Sequence, residues 1–130
     1  MEKFNIGFDI HGLIDSDPQL FSFLSKLLVE SGCEVHILTG KHIEDGVLEE
    51  LKKYKITYTH LFSIADYHKL RGEKVRYDDK NTPWIEKELW DRAKAEYCDK
   101  HNIRLHLDDS EVYGQHFKTS YGFVKIKVKK

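Results

Sequence analysis

Apolar residues along this chain come in two alternating patterns, short unbroken runs and longer stretches in which they recur every three or four positions. The first run, residues 3–9, K-F-N-I-G-F-D, ends on Asp9. A short apolar run closed by an acid suits a buried central strand. Asp17 then offers a helix N-cap, with Pro18 at the first helical position. Over residues 19–30 the positions Leu20, Phe21, Phe23, Leu24, Leu27 and Leu28 mark an amphipathic helix that stops at Gly32. Residues 34–38, E-V-H-I-L, predict a second strand leading into Thr39-Gly40. Ile43, Val47, Leu48 and Leu51 share one face of a second helix over residues 43–54, and residues 57–64 predict a third strand.

The pattern then weakens. Residues 65–82 are polar, rich in Lys, Arg and Asp, and poorly periodic, which predicts a long loop serving as a lid or mobile segment. Thr82-Pro83 opens a long helix that runs to Lys100. Residues 103–107 predict a fourth strand ending at Asp108-Asp109, followed by a short helix over 111–117 and a last strand over 122–128. There is no internal repeat and no low-complexity segment. Strands alternating with helices predict one α/β domain over residues 1–130, a three-layer, doubly wound, mostly parallel sheet of Rossmann type. Ligands of such sheets bind beyond the carboxyl ends of the strands. Asp9, Thr39 and Asp108-Asp109 all stand at those ends.

Composition narrows the function classes. At 130 residues, 40% apolar and 33% charged, the chain fits one ordinary globular domain rather than a disordered or fibrous protein. The net charge of −1 gives no electrostatic case for nucleic acid or membrane as a bulk partner. No apolar run approaches the roughly 20 residues that span a bilayer, and the N-terminus lacks the apolar core of a signal peptide. A cytoplasmic protein is expected. Cys33 and Cys98 form no C-x-x-C pair, so both are expected as reduced thiols packed on helices or helix ends. The alternating K-I-K-V-K-K at residues 125–130 suits an edge strand with charged outward positions. A nucleic-acid-binding tail is the other reading of those lysines.

The strand-end residues have a shared chemistry. An aspartate can attack a phosphoryl group, and phosphoryl transfer needs charge neutralisation above all. Mg²⁺ takes hard oxygen ligands, often one or two carboxylates with carbonyls and waters. A lysine and a hydroxyl then hold the remaining phosphate oxygens. Asp9, Thr39, Lys94 and Asp108/Asp109 supply that set, although Lys87 and Lys100 share the helix with Lys94.

In this arrangement the chain resembles the haloacid dehalogenase (HAD)-like hydrolase superfamily, in its compact nucleotidase-like phosphatase branch. Residues 6–15, I-G-F-D-I-H-G-L-I-D, resemble HAD motif I, a hydrophobic strand followed by D-x-D-G-x-x-x-D. Residues 36–40, H-I-L-T-G, are similar to motif II, and residues 94–110, K-A-E-Y-C-D-K-H-N-I-R-L-H-L-D-D-S, to motifs III and IV. The resemblance implies Mg²⁺ as cofactor and roles for single residues. Asp9 would be nucleophile and metal ligand, and His11 would offer its backbone carbonyl to the metal. Thr39 with Gly40 would bind the phosphate. Lys94 would neutralise phosphate and nucleophile. Asp109 would bind the metal directly, with Asp108 the next candidate. The cap would be minimal or absent. Gly12 is expected to allow a tight turn beside the metal, and Asp15 to cap the first helix or support the loop after Gly12.

His11 departs from the motif, where a second aspartate acts as general acid. Histidine can carry a proton near neutral pH, so it is expected as the acid/base, as a pocket-filling residue in a slow or inactive protein, or as the mark of a changed reaction or substrate. The implied activity is hydrolysis of a phosphomonoester through an aspartyl-phosphate. The substrate would be a nucleotide or another small phosphate, with a polynucleotide end left open. The alternative is a weakly active or inactive HAD-like module that binds phosphate or metal and works through a partner. A response-regulator receiver would carry its acidic pair after the first strand and its phosphoacceptor after the third, the reverse of what is found here.

The remaining polar residues have blander readings. The eight histidines, among them His36, His60, His101 and His106, show no H-x-x-x-H or H-E-x-x-H spacing that would predict zinc. Lys41 and His42 follow motif II and are expected at the substrate entrance. Tyr67, His68, Lys69, Arg71 and Lys74 are expected either on a lid facing an anionic substrate or on a solvated loop. Trp84 and Trp90 are expected on one helix, as packing residues.

Overall fold

The computed structural model describes residues 3–80 and 83–125. Its centre is a five-stranded sheet, all parallel, in the order β3-β2-β1-β6-β7. β1 (Asn5–Asp9) and β2 (Glu34–Thr39) are joined by α1 (Pro18–Glu30), and α2 (Val47–Lys53) leads to β3 (His60–Ser63). α3 (Ile64–Leu70), β4 (Arg76–Tyr77), β5 (Pro83–Trp84) and α4 (Lys87–Lys100) follow, then β6 (Leu105–Asp108), α5 (Glu111–Gly114) and β7 (Ser120–Phe123). Helices flank the sheet, consistent with a Rossmann-like fold. Among the described residues, no helix is long and apolar enough to cross a membrane.

The first helix forms as its sequence dictates. The Asp17 carboxylate accepts from the Leu20 amide at 3.3 Å, Pro18 occupies the first turn, and Gly32 takes a φ of +88° just past the end. Phe21 of α1 and Val47 and Leu51 of α2 pack on Phe8, Val35 and Ile37 of the sheet, in one apolar cluster with Ile10, Leu13, Ile14 and Ile56. The opposite face is built differently. Because side chains alternate along a strand, Gly7, Asp9, His36, Leu38, His106 and Asp108 all turn toward α4, where apolar contact is confined to Leu38, Cys98 and Ile103 with a few partners. Both cysteines are free and buried, Cys98 on α4 and Cys33 just past α1.

Residues 65–82 are not one long loop. Ile64–Leu70 is a helix, N-capped by Ser63, whose hydroxyl accepts from the Asp66 amide at 3.0 Å. Its buried face is Ile64, Ala65 and His68, and a histidine in the third position hides the helical period. Beyond it, Arg76 and Tyr77 pair antiparallel with Trp84 and Pro83. That pairing holds Pro83 and Trp84 extended, so α4 starts at Lys87 and not at Pro83. Trp84 therefore stands on the hairpin while Trp90 stands on the helix, their rings 6.4 Å apart. The last strand ends at Phe123, and the lysine alternation of residues 126–130 lies outside the described residues.

Candidate functional site

β1 and β6 are neighbours in the sheet, yet the chain leaves β1 toward β2 and β6 toward β7. This reversal opens a crevice at their carboxyl ends, the usual ligand position in such folds. Asp9 closes β1 and Asp108 closes β6. Lys94 comes down from α4 between them. Its Nζ donates to Asp9 Oδ1 at 2.9 Å and to Asp108 Oδ2 at 2.7 Å, and all three side chains are at least nine-tenths buried.

Asp108 is fixed from three sides. Besides Lys94, His106 Nε2 donates to its Oδ2 at 2.9 Å and the Ser110 amide donates to Oδ1 at 3.2 Å. His106 lies two residues earlier on the same face of β6, directly opposite Gly7 of β1. A Cβ at Gly7 would stand 2.6 Å from His106 Nδ1, so glycine makes room for the ring. Asp109 lies against the loop after β1. Gly12 has a φ of +94°, and any Cβ there would collide with the Asp109 carboxylate. Both facts require glycine. The Gly12 amide donates to Asp15 Oδ1 at 2.7 Å. Asp15 thus supports this loop, and capping of α1 falls to Asp17 instead.

The electrostatics follow from burial and proximity. Burial pushes Asp9 up to about 7; the Lys94 charge pulls the other way, and the Asp108 and Asp109 carboxylates add to the rise. Asp108 is buried too, but the His106 hydrogen bond and the Lys94 charge outweigh that and hold it below the usual carboxylate range. Asp109 is raised by burial and by Asp108. Burial opposes the Lys94 charge, yet Asp9 and Asp108 overcome it and keep the ammonium protonated above the ordinary lysine range. Two carboxylates thus share one ammonium, with the third, Asp109, beside them. One oxygen from each of Asp9, Asp108 and Asp109 lies within 4.8 Å of the others.

These groups open onto a cleft of about 320 Å³ lined also by His11, Gly40, Lys41, Pro83, Trp90 and Tyr113. Glu50 of α2 holds two of its edges, bonding His11 Nε2 at 2.9 Å through one carboxylate oxygen and Lys41 Nζ at 3.3 Å through the other. Trp90 Nε1 donates to the Tyr113 hydroxyl at 2.8 Å, and the Tyr113 ring lies 4.8 Å from Lys94 Nζ. Thr39 is fully buried; its Oγ1 accepts from the Lys41 amide at 3.3 Å, and Gly40 and Lys41 line the cleft beside it. A Cβ at Gly40 would stand 2.6 Å from the Trp90 ring. A larger cavity of about 530 Å³, walled by Glu73, Lys74, Arg76 and Glu86 among others, contains none of the strand-end groups. The acids with perturbed pKa values are concentrated at the smaller one.

The fold thus gathers Asp9, His11, Gly40, Lys94 and Asp109 at one cleft, with Asp108 beneath them, and leaves Lys87 and Lys100 outside its lining. Lys41 lines the cleft, but His42 does not. It is buried, with Nδ1 2.6 Å from Asp66 and Nε2 2.9 Å from the Tyr77 hydroxyl, and ties the hairpin to α3. Tyr67, His68, Lys69, Arg71 and Lys74 also lie outside the cleft lining. Tyr67 packs on Phe62 and under Arg71, while His68 is buried, its Nε2 3.3 Å from the Leu89 carbonyl. The sequence reading passed over Glu50, Tyr113 and the support given by His106. For His106 a signal was present, H-x-D at strand spacing. Glu50 and Tyr113 carry none, because their neighbours come from distant segments. Compared with protein-family models and with curated proteins, the chain gives no match.

Proposed function

We propose that this protein is a HAD-like, Mg²⁺-dependent phosphomonoester hydrolase with Asp9 as nucleophile. The observation that carries the reading is the buried Asp9–Lys94–Asp108 bridge beside Asp109, at the reversal point of the sheet. The donor set fits Mg²⁺. Three carboxyl groups crowd beside one ammonium, which raises the proton affinity of Asp9 and Asp109, and their oxygens are close enough to share one small, hard cation in place of those protons. Asp9 and Asp109 would bind it directly with the His11 carbonyl, and Asp108, already committed to Lys94, His106 and the Ser110 amide, would hold the frame. When bound, the ion would neutralise charge on the transferring phosphoryl group.

The protein groups then have distinct tasks. The Asp9 carboxylate attacks phosphorus, an Asp9–phosphate bond forms, and the bond from phosphorus to the leaving alkoxide breaks. Lys94 neutralises the carboxylate and the phosphoryl oxygens. His11, oriented by Glu50, gives a proton to the leaving oxygen. It next takes one from the water that attacks the aspartyl-phosphate, which releases inorganic phosphate and restores Asp9. Lys41 and the Gly40 backbone supply further phosphate contacts on a turn that Thr39 holds. Trp90 and Tyr113 offer flat, half-polar surface to a substrate beyond its phosphate, in keeping with a nucleotide or similar small phosphate.

A second reading has an observation of its own. His11 Nε2 is engaged by Glu50, which suits a phosphate- or metal-binding module with little turnover. Phosphate release from a panel of phosphomonoesters with Mg²⁺ separates the two, with wild type, Asp9→Asn and His11→Asp run in parallel. Turnover in wild type that vanishes in Asp9→Asn supports the hydrolase. Turnover only in His11→Asp supports the binding module. Silence from all three, with no thermal stabilisation by Mg²⁺, rejects the metal site itself.

A further inference from the structure

The α4 side of the sheet carries a second polar cluster, remote in kind from the carboxylate cleft. β2 and β3 pair in parallel with His36 opposite His60. Their imidazoles stack with centroids 4.2 Å apart and 4° between planes. Glu34, two residues before His36, shares its face of β2, and its Oε1 lies 3.1 Å from His36 Nε2. One donor atom from each of Glu34, His36 and His60 lies within 4.8 Å of the other two. His101, at the end of α4, brings a third ring 6.0 Å from that of His36.

We propose that Glu34, His36 and His60 form a second metal site, for a borderline divalent transition ion such as Zn²⁺. The supporting bonds are of the kind that orient metal-binding histidines. His36 Nδ1 lies 2.6 Å from the Tyr97 hydroxyl. His60 Nδ1 lies 2.8 Å from Thr59 Oγ1, whose own proton goes to the Val35 carbonyl at 3.1 Å. The Thr59 oxygen therefore accepts from His60 Nδ1–H, which leaves the Nε2 lone pair of that ring available. In His36 the Tyr97 bond occupies Nδ1, and Nε2 faces the Glu34 carboxylate that would share the ion. Zn²⁺ entry displaces the proton held between His36 Nε2 and Glu34, which the ring carries instead on Nδ1 and donates to the Tyr97 oxygen, and the exposed His60 ring swings out of the parallel stack so that its Nε2 lone pair turns toward the ion and completes three ligands. Water or His101 fills the fourth position of a tetrahedral set. Two nitrogen donors distinguish this site from the all-oxygen set at Asp9 and disfavour Mg²⁺. The sequence spacing hides the site, because its two histidines meet only through the register of β2 and β3.

The test is calorimetric titration of the full chain with Zn²⁺ in saturating Mg²⁺, comparing wild type, His60→Ala and Asp9→Asn. His60 is exposed, so its replacement leaves the fold intact. The expected result is one Zn²⁺ per chain in wild type and in Asp9→Asn, weakened by at least roughly tenfold in His60→Ala. Absence of Zn²⁺ binding to wild type overturns the site, as does equal affinity in His60→Ala. Since Asp9→Asn should keep its zinc, failure of this site is distinguishable from failure of the proposed hydrolase.

Discussion

The two faces of the central sheet are made from the same five strands but obey different physics. On the α1–α2 face, Phe8, Phe21, Val35, Ile37 and Leu51 form a closed apolar cluster. On the α4 face, Asp9, His36, His106 and Asp108 occupy corresponding strand positions, and Lys94, Tyr97, Cys98 and His101 form the facing stripe of the helix. The spacing 94, 97, 98, 101 is that of an ordinary buried helix face, but three of its four residues are polar or charged. One face is held by burial alone. The other must pair most of the polar groups it buries, His106 Nδ1 being an exception, and what it gives up in hydrophobic stabilisation it gains as a charged, preorganised crevice.

The largest expected effect comes from removing the shared cation. Lys94→Met leaves Asp9 and Asp108 buried without their ammonium, at a cost of about 3–5 kcal/mol near pH 8. Phe21→Ala on the apolar face costs about the same, 3–5 kcal/mol. Urea unfolding at two pH values separates them. The Lys94→Met loss should shrink below about pH 6, as its carboxylates take up protons, while the Phe21→Ala loss stays constant. A pH-independent Lys94→Met loss would break the distinction between the faces.

A smaller effect of opposite sign is expected at Asp9. Its folded pKa, about 7, lies above the ordinary 3.8. The folded state therefore binds the proton more tightly, and Asp9's contribution is fully present below the unfolded value and lost as pH rises through about 7. Asp9→Asn should thus stabilise the metal-free protein by on the order of 2 kcal/mol at pH 8 and by progressively less toward pH 4. Thermal melts across that range check it, and the same melts with Mg²⁺ should raise wild type but not the variant. Asp108 runs the other way. Its folded value is depressed, so its stabilisation is present above the ordinary carboxylate range and is lost only as pH falls below it.

Gly7→Ala tests the packing behind Asp108. The added methyl meets His106 and should cost about 1–3 kcal/mol, measured by denaturant unfolding, with weaker Mg²⁺ binding through the displaced Asp108. The smallest stability effect belongs to the rim. Glu50→Gln should change unfolding by less than about 0.5 kcal/mol. Its readout is kinetic: because it removes the carboxylate that orients His11 and Lys41, kcat for phosphate release should fall while metal binding stays the same. An unchanged kcat would remove the Glu50–His11 contact from the proton steps.

Much of this architecture is legible in the residue pattern. Apolar periodicity locates the first two strands and α1 within a residue or two, and the alternation of elements gives the parallel sheet. Strand-end chemistry points to Asp9, Asp108 and Asp109, and the motif resemblance points to Lys94. Legibility fails where a local signal is overruled or shared. The α3 helix is concealed because His68 takes an apolar position, and Pro83 reads as a helix start until the β4–β5 pairing holds it extended.

What the sequence by itself determined is therefore everything set by neighbours along the chain. It placed the acids at strand ends and the glycine beside them, and it assigned the caps of Asp17 and Pro18. Tertiary structure alone decided which of these groups meet. It chose Lys94 over its neighbours on the helix, clamped Asp108 with His106, set Glu50 between His11 and Lys41, and stacked His36 on His60. The physical reason is that register and helix rotation are fixed by burying the apolar face. The polar side chains opposite then fall into contacts that no spacing in the chain records.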